Sequence, residues 1–163
     1  MVAFGHTAVG VIVGVTVHNF LGQYPEAFGL AATGAMGVVS HYLMDAIPHG
    51  HFFASSTYKK VIVPIIIFDL LLSIALFLGA FYLKNGFDER LMYVLFGIGG
   101  SHLPDVIGGL VYTRIIKPQG LLKIENNLHE GIHKTTKEST LHALGLKDLW
   151  QLSVILFAWF LIW

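Results

Sequence analysis

The chain has 163 residues, 55% of them hydrophobic and 13% aromatic, and only 12% charged, half the charged share of an ordinary soluble domain. That composition excludes a soluble globule and points to a polytopic membrane protein, with residues 1–163 as one domain. Ten Lys+Arg balance ten Asp+Glu, so no basic excess points to a nucleic-acid partner. The chain has no cysteine, which removes disulfides, thiolate metal sites and cysteine nucleophiles. Any metal must be held by nitrogen and oxygen, and nine histidines in so apolar a chain are the residues that need explaining.

Ala3 to Leu21 is an apolar run with Gly10 and Gly14 one turn apart, a spacing that lets helix backbones approach closely, and is read as the first span. Gln23, Tyr24, Pro25 and Glu26 make a turn, after which Ala27 to Asp45 forms the second span, ended by Pro48 and Gly50. Val61 to Leu83 is the third, interrupted only by Pro64 and Asp69 and followed by the charged turn Lys84 to Arg90. Leu91 to Tyr112 is the fourth, and Gly99, Gly100 and Pro104 predict a break near its middle.

Arg114 to Lys147 is the only substantial water-exposed segment. Within it Leu121, Ile124, Leu128 and Ile132 recur at helical spacing and predict a short amphipathic helix at the membrane surface. Leu149 to Trp163 is a short fifth span carrying Trp150, Trp159 and Trp163, residues favoured at membrane interfaces. The expected fold is therefore an all-α membrane bundle of about five transmembrane helices plus one amphipathic helix. The start of the chain lacks a basic region followed by a cleavage site, so the first span is read as mature protein.

Five crossings place the N-terminus, the Pro48 to Lys60 loop and the Arg114 to Lys147 segment on one side. That side carries Lys59, Lys60, Arg114, Lys117, Lys123, Lys134, Lys137 and Lys147, against Lys84 and Arg90 on the other. The positive-inside rule makes it cytoplasmic.

The same topology sends the polar residues of four segments to that face. His6 opens the first span; His41, Asp45, His49 and His51 end the second; His102 and Asp105 lie in the second half of the fourth; His129 and His133 follow it. His41 and Asp45 are i,i+4 and share a helix face, a geometry that His129 and His133 repeat. His102 and Asp105 are i,i+3, with Pro104 expected to set them on a helix break that lines a cavity. Intramembrane ionisable residues are functional candidates by default, and imidazole with carboxylate suits Zn, Mn or Fe. A proton or ion pathway is the non-enzymatic alternative. His18 and His142 are read as structural or surface residues, and Asp69 as either an interhelical partner or a catalytic group.

The run His41-Tyr-Leu-Met-Asp45-Ala-Ile-Pro48-His49-Gly-His51 resembles the H-x3-D-x5-H ligand run of the zinc-dependent phospholipase C and single-strand nuclease superfamily, with His41, Asp45 and His51 on the ligand positions. With Gly5-His6, Ser40-His41, Leu103-Pro104-Asp105 and His129-Glu130-Gly131-Ile132-His133, the chain also resembles the membrane-bound metal-dependent hydrolases of bacteria and archaea. The resemblance implies a helical bundle in a prokaryotic membrane, two or more divalent ions and a hydrolytic activity.

The ligands expected on this reading are His6, His41, Asp45, His51, His102, Asp105, His129 and His133, with Asp45 and Asp105 also counted as catalytic and Glu130 as general base. Zinc is the first choice of metal, with Mn or Fe as alternatives. A site at the membrane interface of an apolar body has readiest access to lipid, so the expected substrate is a lipid-like phosphoester within the bilayer. The rival is a membrane metalloprotease, because His129-Glu130-x-x-His133 is the zincin pattern. That pattern leaves His6, His41, Asp45, His51 and His102 without work, and Gly131 is a poor residue inside its helix.

Overall fold

In the computed structural model, described over residues 3–47, 59–135 and 149–163, and for side chains outside 59–66, 133–135 and 149, the described residues form α-helices and no strand. The helices are α1 (Ala3–Leu21), α2 (Glu26–Asp45), α3 (Lys59–Asn85), α4 (Glu89–Tyr112), α5 (Leu121–Thr135) and α6 (Leu149–Ile162). Four are long and apolar enough to cross a membrane: α1, α2, α4 and α3 over Ile67–Asn85. The apolar part of α6, Trp150–Ile162, is shorter.

The turns are set by local chemistry. Gly86 leaves α3 with φ +71°, and its N–H closes on the Tyr82 carbonyl at 2.7 Å, a left-handed terminus that a residue without Cβ adopts at no steric cost. Asp88 then caps α4, its carboxylate accepting the Arg90 N–H. Hydrogen bonding to the Arg90 side chain holds the Asp88 carboxyl below the usual carboxylate range.

Packing centres on α1 and α4. Ala8, Val11 and Val15 of α1 meet Phe77, Ala80 and Phe81 of α3, Val94 and Ile98 of α4, and Ala158 and Ile162 of α6. Lipid is as apolar as these side chains, so close backbone approach contributes much of the helix association. A Cβ on Gly10 would come within 2.5 Å of the Ile98 Cα, and one on Gly14 within 2.5 Å of the Val94 Cα. On its other flank, α4 meets α2, where a Cβ on Gly37 would come within 2.7 Å of the Gly97 carbonyl oxygen.

The buried residues of α2 are Gly29, Thr33, Gly37, His41 and Asp45, every fourth position. Side chains at i and i+4 lie above one another, so one stripe uses small residues to bring α2 against α4 and then delivers two site residues at its end. The large apolar side chains of α2, among them Phe28, Met36, Val39 and Leu43, are exposed outward, as lipid-facing residues are.

One expectation changes here and one open choice gains an observation. The helix break foreseen at Pro104 is absent: α4 runs unbroken to Tyr112 with Pro104 buried inside it. Proline removes only the N–H that the Gly100 carbonyl would have received, whereas a break would orphan several backbone groups in an apolar setting. Asp69 has an interhelical partner, accepting the Ala3 N–H at the start of α1 at 3.0 Å.

The predicted amphipathic helix is present as α5, and it has three faces rather than two. Leu121, Ile124 and Leu128 are exposed, as are Lys123, Asn127 and Glu130 on a second side, while Asn126 and His129 are buried and Glu125 half-buried against α2 and α4.

Candidate metal centre

His6 comes from the start of α1, His41 and Asp45 from the end of α2, His102 and Asp105 from α4, and His129 from α5. The short turn at 22–25 sets α1 and α2 antiparallel, which brings His6 to Asp45, and α4 runs alongside α2 so that its second half reaches the same end. His41 and Asp45 are fully buried, His6 is 1% exposed, and Asp105 opens the site to the outside with 44% of its side chain exposed.

One ligand atom from each of His41, Asp45, Asp105 and His129 lies within 4.8 Å of the others. His41 Nε2 is 3.0 Å from Asp45 Oδ2 and 3.8 Å from Asp105 Oδ1. His129 Nε2 is 3.7 Å from Asp45 Oδ2 and 3.4 Å from Asp105 Oδ1, and the two imidazole nitrogens are 3.5 Å apart. Ligands bound tetrahedrally at zinc-like bond lengths sit about 3.3 Å from one another, so these separations are those of a site that could hold a metal ion.

The surroundings fit that use. His41 Nδ1–H donates to the Ser101 carbonyl at 2.8 Å, which fixes the tautomer and leaves Nε2 with a lone pair toward the carboxylates. Ser101 Oγ–H in turn bonds the His6 carbonyl at 2.8 Å, tying α1 to the same turn of α4. For His129, burial alone would lower the imidazolium's pKa, but hydrogen bonds to Asp105 and Asp45 and their charges push it up to about 9. The two carboxylates thus favour positive charge at this position.

His6 stands just beyond the set of four. Its ring stacks on His41 with centroids 4.2 Å apart, and its Nε2 is 3.3 Å from Asp45 Oδ1 and 3.7 Å from Asp105 Oδ2. The other ring nitrogen of His6, Nδ1, is buried with no hydrogen-bond partner among the described residues. Each carboxylate therefore turns one oxygen toward His41 and His129 and the other toward His6. His102 joins the cluster less directly. Its ring meets His6 edge-on at 5.9 Å, and its Nε2 is 2.8 Å from the Thr7 hydroxyl, which is also 2.8 Å from Ser73 Oγ.

Of the other expected site residues, His51 and the side chain of His133 lie outside the described residues. Glu130 is exposed, with Oε1 accepting from Asn126 Nδ2 at 3.1 Å. The sequence reading missed Ser101, Thr7, Tyr42 and Glu125. Only Glu125 carried a signal, its i,i−4 spacing from His129. Comparisons with protein-family models, curated proteins and solved structures give no match.

Proposed function

We propose that this chain is a membrane-embedded, multinuclear metal-dependent hydrolase acting on a phosphoester, with a lipid as its substrate. The observation that carries this reading is the division of Asp45 and Asp105, each with one oxygen toward His41 and His129 and the other toward His6. Two carboxylates shared in this way suit two adjacent cations, with His41 and His129 on one side and His6 on the other. Zinc, with Mn or Fe as alternatives, matches the nitrogen and oxygen donors. Bound there, such a pair would lower the pKa of water toward neutrality and neutralise charge on a phosphoryl group.

The resemblance to the membrane-bound metal-dependent hydrolases supports the same reading, and so do the exposed leucines of α5, the helix that carries His129. With α6 read as a fifth crossing, the lysine and arginine distribution supports a site at the cytoplasmic face, and the resemblance supports a prokaryotic cell membrane. The zincin alternative has less support, because Glu130 turns outward while His129 turns inward. Elemental analysis of detergent-purified protein, paired with assays on phospholipid vesicles and on casein, tests the proposal. More than one equivalent of metal with vesicle hydrolysis is expected. One equivalent with casein cleavage alone would favour the protease, and no metal at all the ion pathway.

A further inference from the structure

The wall of the metal centre between α2 and α5 holds a carboxylate that the ligand set does not use. Tyr42, the neighbour of His41, donates its hydroxyl to Glu125 Oε1 at 3.1 Å across the two helices. Glu125 precedes His129 by one turn and stands about 40° from it around the helix axis, so both face the same interior. Its second oxygen, Oε2, is buried with no hydrogen-bond partner among the described residues. The Tyr42 ring stands 5.5 Å from the His41 ring and 6.4 Å from that of His129. A buried carboxylate oxygen without a donor is costly, and Glu125 is joined through Tyr42 to the helix turn that carries His41 and Asp45.

We propose that Glu125 is the proton acceptor of the hydrolytic site and that Tyr42 is its positioning residue, a role that rests on the phosphoester-hydrolase reading above. With Oε1 fixed by Tyr42, Oε2 is the atom left to accept. Water oxygen forms its bond to phosphorus while Glu125 Oε2 takes a water proton. The bond from phosphorus to the ester oxygen breaks with its electron pair on that oxygen, which receives the proton from Glu125 and leaves as the alcohol. One water is consumed and no redox partner is required. Glu130 is turned about 140° from Glu125 around α5, is exposed and is held by Asn126.

The test uses the full chain in detergent, loaded with Zn, and bis(4-nitrophenyl) phosphate as probe, measuring metal per chain together with kcat and KM. In Glu125→Gln, kcat is expected to fall about 100-fold or more, the usual scale of general acid–base catalysis, with KM within about threefold and metal content unchanged. Tyr42→Phe is expected to lower kcat about tenfold with the same KM and metal, since the acceptor is kept but unanchored. Glu130→Gln should stay within about threefold of the parent.

Near-parent turnover in Glu125→Gln would overturn the assignment. So would a raised KM at constant kcat, which makes Glu125 a substrate contact, and so would loss of metal, which makes it a ligand or a structural residue. If the metal-loaded parent leaves the probe intact, the phosphoester reading fails and this role with it, a result recognised from the parent's own rate.

Discussion

Gly97 lies against the backbone carbonyl of Gly10 so closely that a Cβ at position 97 would collide with that oxygen. The contact joins α1 to α4 one turn from Ser101, the residue whose hydroxyl and carbonyl hold His6 and His41. Helix packing and site geometry therefore share one joint. Gly97→Ala is expected to destabilise the protein by about 1–3 kcal/mol, the range for overpacking, and to lower metal content. Gly99 faces open space, and Gly99→Ala should leave both unchanged. Thermal unfolding in detergent and metal analysis of the two variants separate the outcomes.

A finer test of the same kind lies at Gly108. A Cβ there would sit 3.1 Å from His129 Nδ1 and 3.3 Å from its Cε1, so the ring must shift by a few tenths of an ångström. Gly108→Ala should weaken metal binding about tenfold, the lower end of what loss of outer-shell support costs. Gly109 has no neighbour in reach, and Gly109→Ala serves as the control in the same metal titration.

The two halves of the site differ in what they would lose. Asp45→Asn takes charge from both oxygens and should reduce binding on both sides, with activity falling in parallel. His6→Ala removes only the nitrogen facing Asp45 Oδ1 and Asp105 Oδ2, so about one equivalent of metal should remain if four-coordinate binding at His41 and His129 persists. Equal metal content in His6→Ala and the parent would exclude His6 as a ligand.

Asp88 gives a pH dependence of known sign. The Arg90 side chain and N–H hold its carboxylate in the charged form, so its contribution to stability is present above the ordinary carboxylate range and is lost as pH falls through its depressed folded-state pKa. Asp88→Ala should cost about 1 kcal/mol at neutral pH through loss of the cap. Asp88→Asn keeps the cap but not the ion pair with Arg90, so it should melt slightly below the parent at neutral pH and lose less on acidification. Melts at neutral pH and at pH near 3 measure both.

Sidedness is open to labelling because the parent chain has no cysteine. A cysteine at Ser55, in the loop between the second and third spans, should resist an impermeant thiol reagent in intact cells, whereas one at Asn85, at the end of α3, should react. The reverse pattern would place the site at the outer face and point to an outer-leaflet lipid.

Hydropathy and turn residues alone located the helices. Ala3 to Leu21 was legible as a span to the residue, because apolar length is a local property and Pro25, Gly86 and Asp88 act on their own neighbourhoods. The convergence of His6, His41, Asp45, His102, Asp105 and His129 was legible too, since antiparallel helices leave little freedom over which ends meet. What local sequence could not decide was continuity and rotation. Pro104 signals a break in any isolated helix, and only the flanking packing of α1 and α2 on α4, in an apolar setting that penalises every orphaned backbone group, keeps it whole. The rotation of α5 was equally hidden. His129 and Glu130 are adjacent in sequence, but a helix turns about 100° between neighbours, so which of its carboxylates meets the site depends on the side of α5 that α2 and α4 receive. That contact turns Glu125 inward and Glu130 outward, a choice made by tertiary packing.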